Sequence, residues 1–147
     1  MATTTLPATR QHLAPIAVSA WAVALFWTFY GAHDWTEIAI GVAAITVTTG
    51  LVFGLVAPRA LRRGSAPGWS MGLGVVAVLA TMPAFSSGVP LILGVGAAVL
   101  GYSSRTAERR SGMAITGLVL GVIAVLGYLA IYIGDGIILG NTGFLFD

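Results

Sequence analysis

The stretch WSMGLGVVAVLATMPAFSSGVPLILGVGAAVLGY, residues 69–102, decides the fold. Its 34 residues include no Asp, Glu, Lys, Arg or His. At about 1.5 Å per residue a single helix would be about 50 Å long, against a hydrocarbon layer of about 30 Å. The chain must therefore turn back within it. The turn is legible in Met82-Pro83-Ala84-Phe85-Ser86-Ser87-Gly88-Val89-Pro90, where two prolines, a glycine and two serines fall within nine residues. Two short helices follow, about 69–84 and 89–102. Both are near or below the length that crosses a bilayer, so two full spans and a re-entrant hairpin buried against other helices are both open.

Outward from this hairpin lie three longer uncharged windows, about 13–31, 38–56 and 112–133. Each has the roughly 20 apolar residues that a spanning helix needs. The expected fold is an all-α integral membrane protein, a single transmembrane domain built as a five-span helical bundle whose third and fourth helices are short. Composition agrees: 57% of the 147 residues are hydrophobic and 8% charged, the mean hydropathy is +0.94, and soluble chains carry about 25% charged residues. A water-soluble globular domain is excluded. With no Cys, disulfides, thiolate metal sites and thiol redox chemistry are excluded as well. No basic domain is present to carry a nucleic-acid partner.

The direction of the spans follows from the arginines. Arg10 lies before the first span, Arg59, Arg62 and Arg63 follow the second, and Arg105, Arg109 and Arg110 follow the fourth. All fall on one side of the five-span arrangement, while His33, Asp34, Glu37, Ser86, Ser87, Asp135 and Asp147 fall on the other. The positive-inside rule then puts the N-terminus in the cytoplasm and the C-terminus outside, in a multi-pass protein of the cell (cytoplasmic) membrane. A re-entrant hairpin would leave the sidedness unchanged. The first apolar run is longer than a signal-peptide core and lacks an A-x-A pattern where cleavage would fall, so a retained helix is expected.

Lipid supplies no hydrophobic drive between helices, so packing relies on small residues that let backbones approach. Such stripes recur at three- and four-residue spacing: Ala17, Ala20, Ala24, Thr28 and Gly31; Thr46, Gly50 and Gly54; Ser70, Gly74, Ala77 and Thr81; Gly94, Ala97 and Gly101; Ala114, Gly117, Gly121 and Ala124. Gly50 with Gly54 and Gly117 with Gly121 form G-x-x-x-G pairs. They are expected to pack within the chain, with a face for another membrane protein or a second copy as the alternative. Trp21, Trp27, Tyr30, Trp35, Trp69, Tyr102, Tyr128 and Tyr132 read as interfacial anchors.

Chemistry is sparse. No span holds an ionisable residue of the kind that proton relays and voltage sensors require. Thr46, Thr48, Thr49 and Thr116 are the most polar groups in the spans, and such hydroxyls commonly bond the carbonyl one turn earlier. The one cluster of reactive side chains is the outer loop with His33, Asp34 and Glu37, which matches no established ligand spacing. Asp34 or Thr36 as a helix cap, with Glu37 in the first turn, accounts for it. No cofactor, metal or catalytic residue is expected. His12 falls among headgroups, and the apolar tail from Ile137 to Asp147 would lie along the outer surface or against a partner.

The run Gly112-Met-Ala114-Ile-Thr-Gly117-Leu-Val-Leu120-Gly121, preceded by Leu93-Gly94 and by Arg105 to Arg110, has the pattern G-x-A-x-x-G-x-x-L-G after a glycine-rich hairpin and an arginine-rich loop. From Trp69 to about Ile133 the chain resembles a bacterial membrane-domain family of unknown function with these features. The resemblance implies the hairpin geometry and brings no activity, ligand or catalytic residue. The functional expectation is a non-catalytic scaffold or accessory subunit of a larger membrane assembly. Two alternatives remain open: an oligomeric transport or channel component lined by the threonines of the second span, and a membrane enzyme using the first outer loop.

Overall fold

A computed structural model describes residues 9–32, 34–81, 87–105 and 111–134, and these are helical almost throughout, with no strand among them. Five rods follow in order: α1 (Thr9–Gly31), α2 (Trp35–Arg63), α3 (Ala66–Ala80), α4 (Val89–Ser104) and α5 (Ser111–Ile133). Three are long and apolar enough to cross a membrane, over His12–Tyr30, Trp35–Arg63 and Gly112–Ile133. The other two have 15 and 16 residues.

The helix boundaries have local causes. Asp34 caps α2 in extended backbone, its Oδ1 accepting the Glu37 N–H at 2.8 Å. Gly64 ends the same helix in the left-handed region, φ +65°, where a side chain would be strained. Pro67 and Pro90 stand in the first turns of α3 and α4, where no N–H is needed. Within α2 the winding opens to a π-helix over Gly50–Val56, just before Pro58. A proline ring collides with the carbonyl four residues earlier, here that of Gly54, and the wider turn relieves the collision.

α2 is longer than the expected 38–56 because it continues past the uncharged window through Arg59, Arg62 and Arg63. Long cationic side chains reach water from a helix end, so charge does not terminate it. α3 starts three residues before the expected 69 and ends at Ala80, short of the expected 84, with Thr81 as its C-cap.

α3, α4 and α5 pack most intimately, with α1 and α2 laid against them. The three are held at backbone distance. A Cβ added to Gly121 would lie 2.5 Å from the Gly94 carbonyl oxygen and 2.8 Å from the Ala98 nitrogen. One added to Gly101 would lie 2.5 Å from the Ala114 carbonyl oxygen. Ser70, fully buried, donates from Oγ to the Ala97 carbonyl at 2.8 Å and ties α3 to α4. Large apolar side chains such as Val18, Phe26, Ile40, Val47, Leu79, Ile123 and Leu126 point outward and are exposed.

The helix levels are offset. Gly88, which precedes α4 with φ +68°, packs against Ala24 of α1 and Ile45 of α2. Ala24 lies seven residues short of Gly31 and Ile45 ten residues into α2. At helical rise, α4 therefore begins about 10–15 Å below the ends of α1 and α2.

Candidate functional site

An open apolar groove of about 430 Å³ lies between α1, α4 and α5. Pro15, Ser19, Ala20 and Val23 form its α1 wall, with Leu91 and Val95 of α4 and Val125 and Leu129 of α5 opposite. One polar side chain, Ser19, stands in its lining, and α1 carries a proline there. Pro15 sits inside α1 and has no N–H, which leaves the Gln11 carbonyl without its usual donor. One turn on, the Ser19 hydroxyl makes no hydrogen bond to the described residues. Beyond the groove, Trp27 meets Tyr132 with ring centroids 5.2 Å apart, and Tyr132 packs on Tyr128 at 4.8 Å.

A second seam joins α1 to α2. The Trp21 indole donates to Thr46 Oγ1 at 3.1 Å, the Thr28 methyl group presses onto Gly41, and the Thr28 hydroxyl donates to the Ala24 carbonyl at 2.9 Å. Thr49 Oγ1 is buried with no hydrogen-bond partner among the described residues. Thr28, Thr81 and Ser104 bond back along their own helices; Thr46 instead serves the neighbouring helix.

Of the expected packing glycines, Gly94, Gly117 and Gly121 are buried between helices, with Gly94 against Gly121 and Gly117 against Ser70. Gly50 and Gly54 face outward, and a Cβ on either would meet no heavy atom within 4 Å. The inward face of α2 is instead Ile38, Gly41, Ile45, Val52, Phe53, Ala57 and Ala60. Gly41 and Gly96, which an added Cβ would drive onto Thr28 and Val52, were not singled out by sequence. Their signal was present only as further small residues at packing spacing.

In the loop between α1 and α2 Asp34 is the cap of α2, Glu37 stands in the first turn with its N–H on Asp34, and His33 lies outside the described residues. No group of three metal-binding side chains occurs among the described residues. Arg59, Arg62 and Arg63 line a cavity at the far end of α2, and Arg105 lies over the Tyr102 ring at 4.1 Å. The side chain of Arg10, and Arg109 and Arg110, lie outside the described residues. Trp35, Trp69 and Tyr102 are exposed at helix ends as anchors would be, whereas Tyr128 and Tyr132 are buried among helices.

Fold and site together define an all-helical protein with three helices of membrane-spanning length and a groove open on its outer face. Comparisons with family models, curated proteins and solved structures find no match to this chain.

Proposed function

We propose that the chain is a non-catalytic, multi-pass integral membrane protein of the cytoplasmic membrane that works as an accessory subunit, seating a transmembrane helix of a partner in the groove between α1, α4 and α5. The observation that carries this reading is the open apolar groove itself, with the Ser19 hydroxyl in its α1 wall making no hydrogen bond to the described residues. Hydrocarbon offers that hydroxyl no partner, while a polar side chain on a neighbouring helix offers it one.

The arrangement has its N-terminus inside. The short α3 and α4, with α4 starting about 10–15 Å below the ends of α1 and α2, favour a re-entrant hairpin over two complete spans. Two observations weigh against the alternatives. The Thr46 hydroxyl is engaged by Trp21 rather than turned to a lumen, and Asp34 is occupied as a helix cap rather than poised for acid or base chemistry.

The test is purification of the tagged protein from its native membrane in mild detergent, followed by native mass spectrometry. A stoichiometric second membrane protein, lost in Ser19→Leu, is the expected result. A homo-oligomer alone would favour a transport pathway assembled from copies, and a bare monomer would overturn the accessory role.

A further inference from the structure

The end of α2 holds a cavity of about 330 Å³ lined by Gly54, Leu55, Pro58, Arg59, Arg62 and Arg63. We infer that it binds the phosphate group of an anionic phospholipid, with Gly54, Leu55 and Pro58 taking the glycerol end of the acyl chains and the arginines the headgroup. The inference rests on the membrane reading of the fold but not on the accessory role.

Spacing brings the charges together. Arg59, Arg62 and Arg63 stand at i, i+3 and i+4, so all three crowd one side of the last turns. None forms an ion pair or hydrogen bond with the described residues. The described acids, Asp34 and Glu37, belong to the opposite end: Arg59 follows Glu37 by 59 − 37 = 22 residues, about 33 Å along a helix. Glu108, an acid on the arginine side by sequence, lies outside the described residues. The helix dipole and the positive-inside rule account for arginines at this end. They do not account for a cavity whose lining is apolar at one edge and cationic at the other.

Depth favours a lipid over a soluble phosphate. A hydrocarbon layer of about 30 Å takes about 20 residues of helix, so a span entering at Ile38 leaves near Pro58. The apolar edge of the cavity then lies at the hydrocarbon boundary and the guanidinium groups at the level of the lipid phosphates. Arginine forks match phosphate oxygens in pairs. Pro58 helps to shape the site, since the π-winding that it induces precedes the arginine turns and leaves Gly54 facing open space.

The experiment uses the full chain in detergent and native mass spectrometry to count retained lipid. The probes are phosphatidylglycerol and phosphatidylcholine, each with and without millimolar inorganic phosphate. Recovery of every variant in the membrane fraction is scored first, so that failure of the membrane reading is seen separately. Phosphatidylglycerol is expected to be retained over phosphatidylcholine, with affinity falling about fivefold in Arg62→Gln and on the order of a hundredfold when all three arginines become Gln. Gly54→Leu fills the cavity without changing charge, at a position where an added Cβ meets no heavy atom within 4 Å, and should also weaken retention; Arg105→Gln should leave it unchanged. Equal retention of the two lipids, or full retention in Gly54→Leu, would overturn the inference. Displacement of phosphatidylglycerol by inorganic phosphate would transfer the site to a soluble anion and overturn the lipid assignment.

Discussion

Replacing Gly121 by Ala tests the backbone-level packing of α4 on α5. The new Cβ would lie 2.5 Å from the Gly94 carbonyl oxygen and 2.8 Å from the Ala98 nitrogen, where ordinary contact begins at 3.4 Å. The shortfall is 3.4 − 2.5 = 0.9 Å. Both neighbours are main-chain atoms, so no side chain can swing aside and the helices must part by about that amount. A gap of 0.5–1 Å forfeits roughly a quarter to a half of each dispersion contact across the seam. Overpacking of this kind costs about 1–3 kcal/mol. Gly127→Ala is the matched control, because it lies on the same helix and its Cβ would meet nothing within 4 Å. The gain from removing a flexible glycine, about 0.4–1 kcal/mol, is common to both variants, so their difference isolates the clash. Reversible unfolding in mixed micelles should place Gly121→Ala below Gly127→Ala by about 1–3 kcal/mol. Equal stabilities, or a more stable Gly121→Ala, would refute the reasoning.

Other seams make comparable claims. Gly41→Ala should destabilise by about 1–3 kcal/mol by driving a methyl group onto Thr28. Thr28→Ser, which removes that methyl group and keeps the hydroxyl on Ala24, should restore most of the loss in the double variant, as read by the same unfolding assay. A double-mutant cycle of Trp21→Phe and Thr46→Val should return a coupling of about 0.6 kcal/mol, the usual worth of a side-chain bond between membrane helices; zero coupling would remove that bond from the account. Ser70→Ala should cost a similar amount by losing the link to Ala97, and an unchanged unfolding midpoint would count against it. For topology, cysteines at Thr36 and Arg62 should react with impermeant thiol reagents from opposite faces of oriented vesicles, and labelling from the same face would reject the spanning of α2.

Much of this fold was legible because lipid imposes a simple length rule. The chargeless run from Trp69 to Tyr102 had to fold back, and the Pro-Gly-Ser cluster showed where. Stripes such as Ala114, Gly117, Gly121 and Ala124 read correctly as the inward face of α5, all of them buried. The G-x-x-x-G pair at Gly50 and Gly54 was misleading about direction, since spacing says that two residues share a face but not which way that face points. The π-winding at this pair and the continuation of α2 to Arg63 were also hidden: the first depends on how the Pro58 ring is accommodated, and the second on arginines reaching past the hydrocarbon edge. Tyr128 suggested an anchor because its hydroxyl favours an interface, whereas packing against Tyr132 draws it inside. The groove itself belongs to no single stretch of sequence. It exists only where α1 meets α4 and α5, and its one polar side chain, Ser19, has meaning only once that wall is known to face outward.

The most direct test of the account is therefore made in the groove. A photoreactive amino acid placed at Val95, which lines it, would be activated in native membranes beside a second variant carrying the same probe at Ile123, an exposed position outside the groove lining. The accessory role predicts one discrete protein adduct from Val95, absent from Ile123 and abolished by Ser19→Leu. Lipid adducts alone at both positions would contradict it.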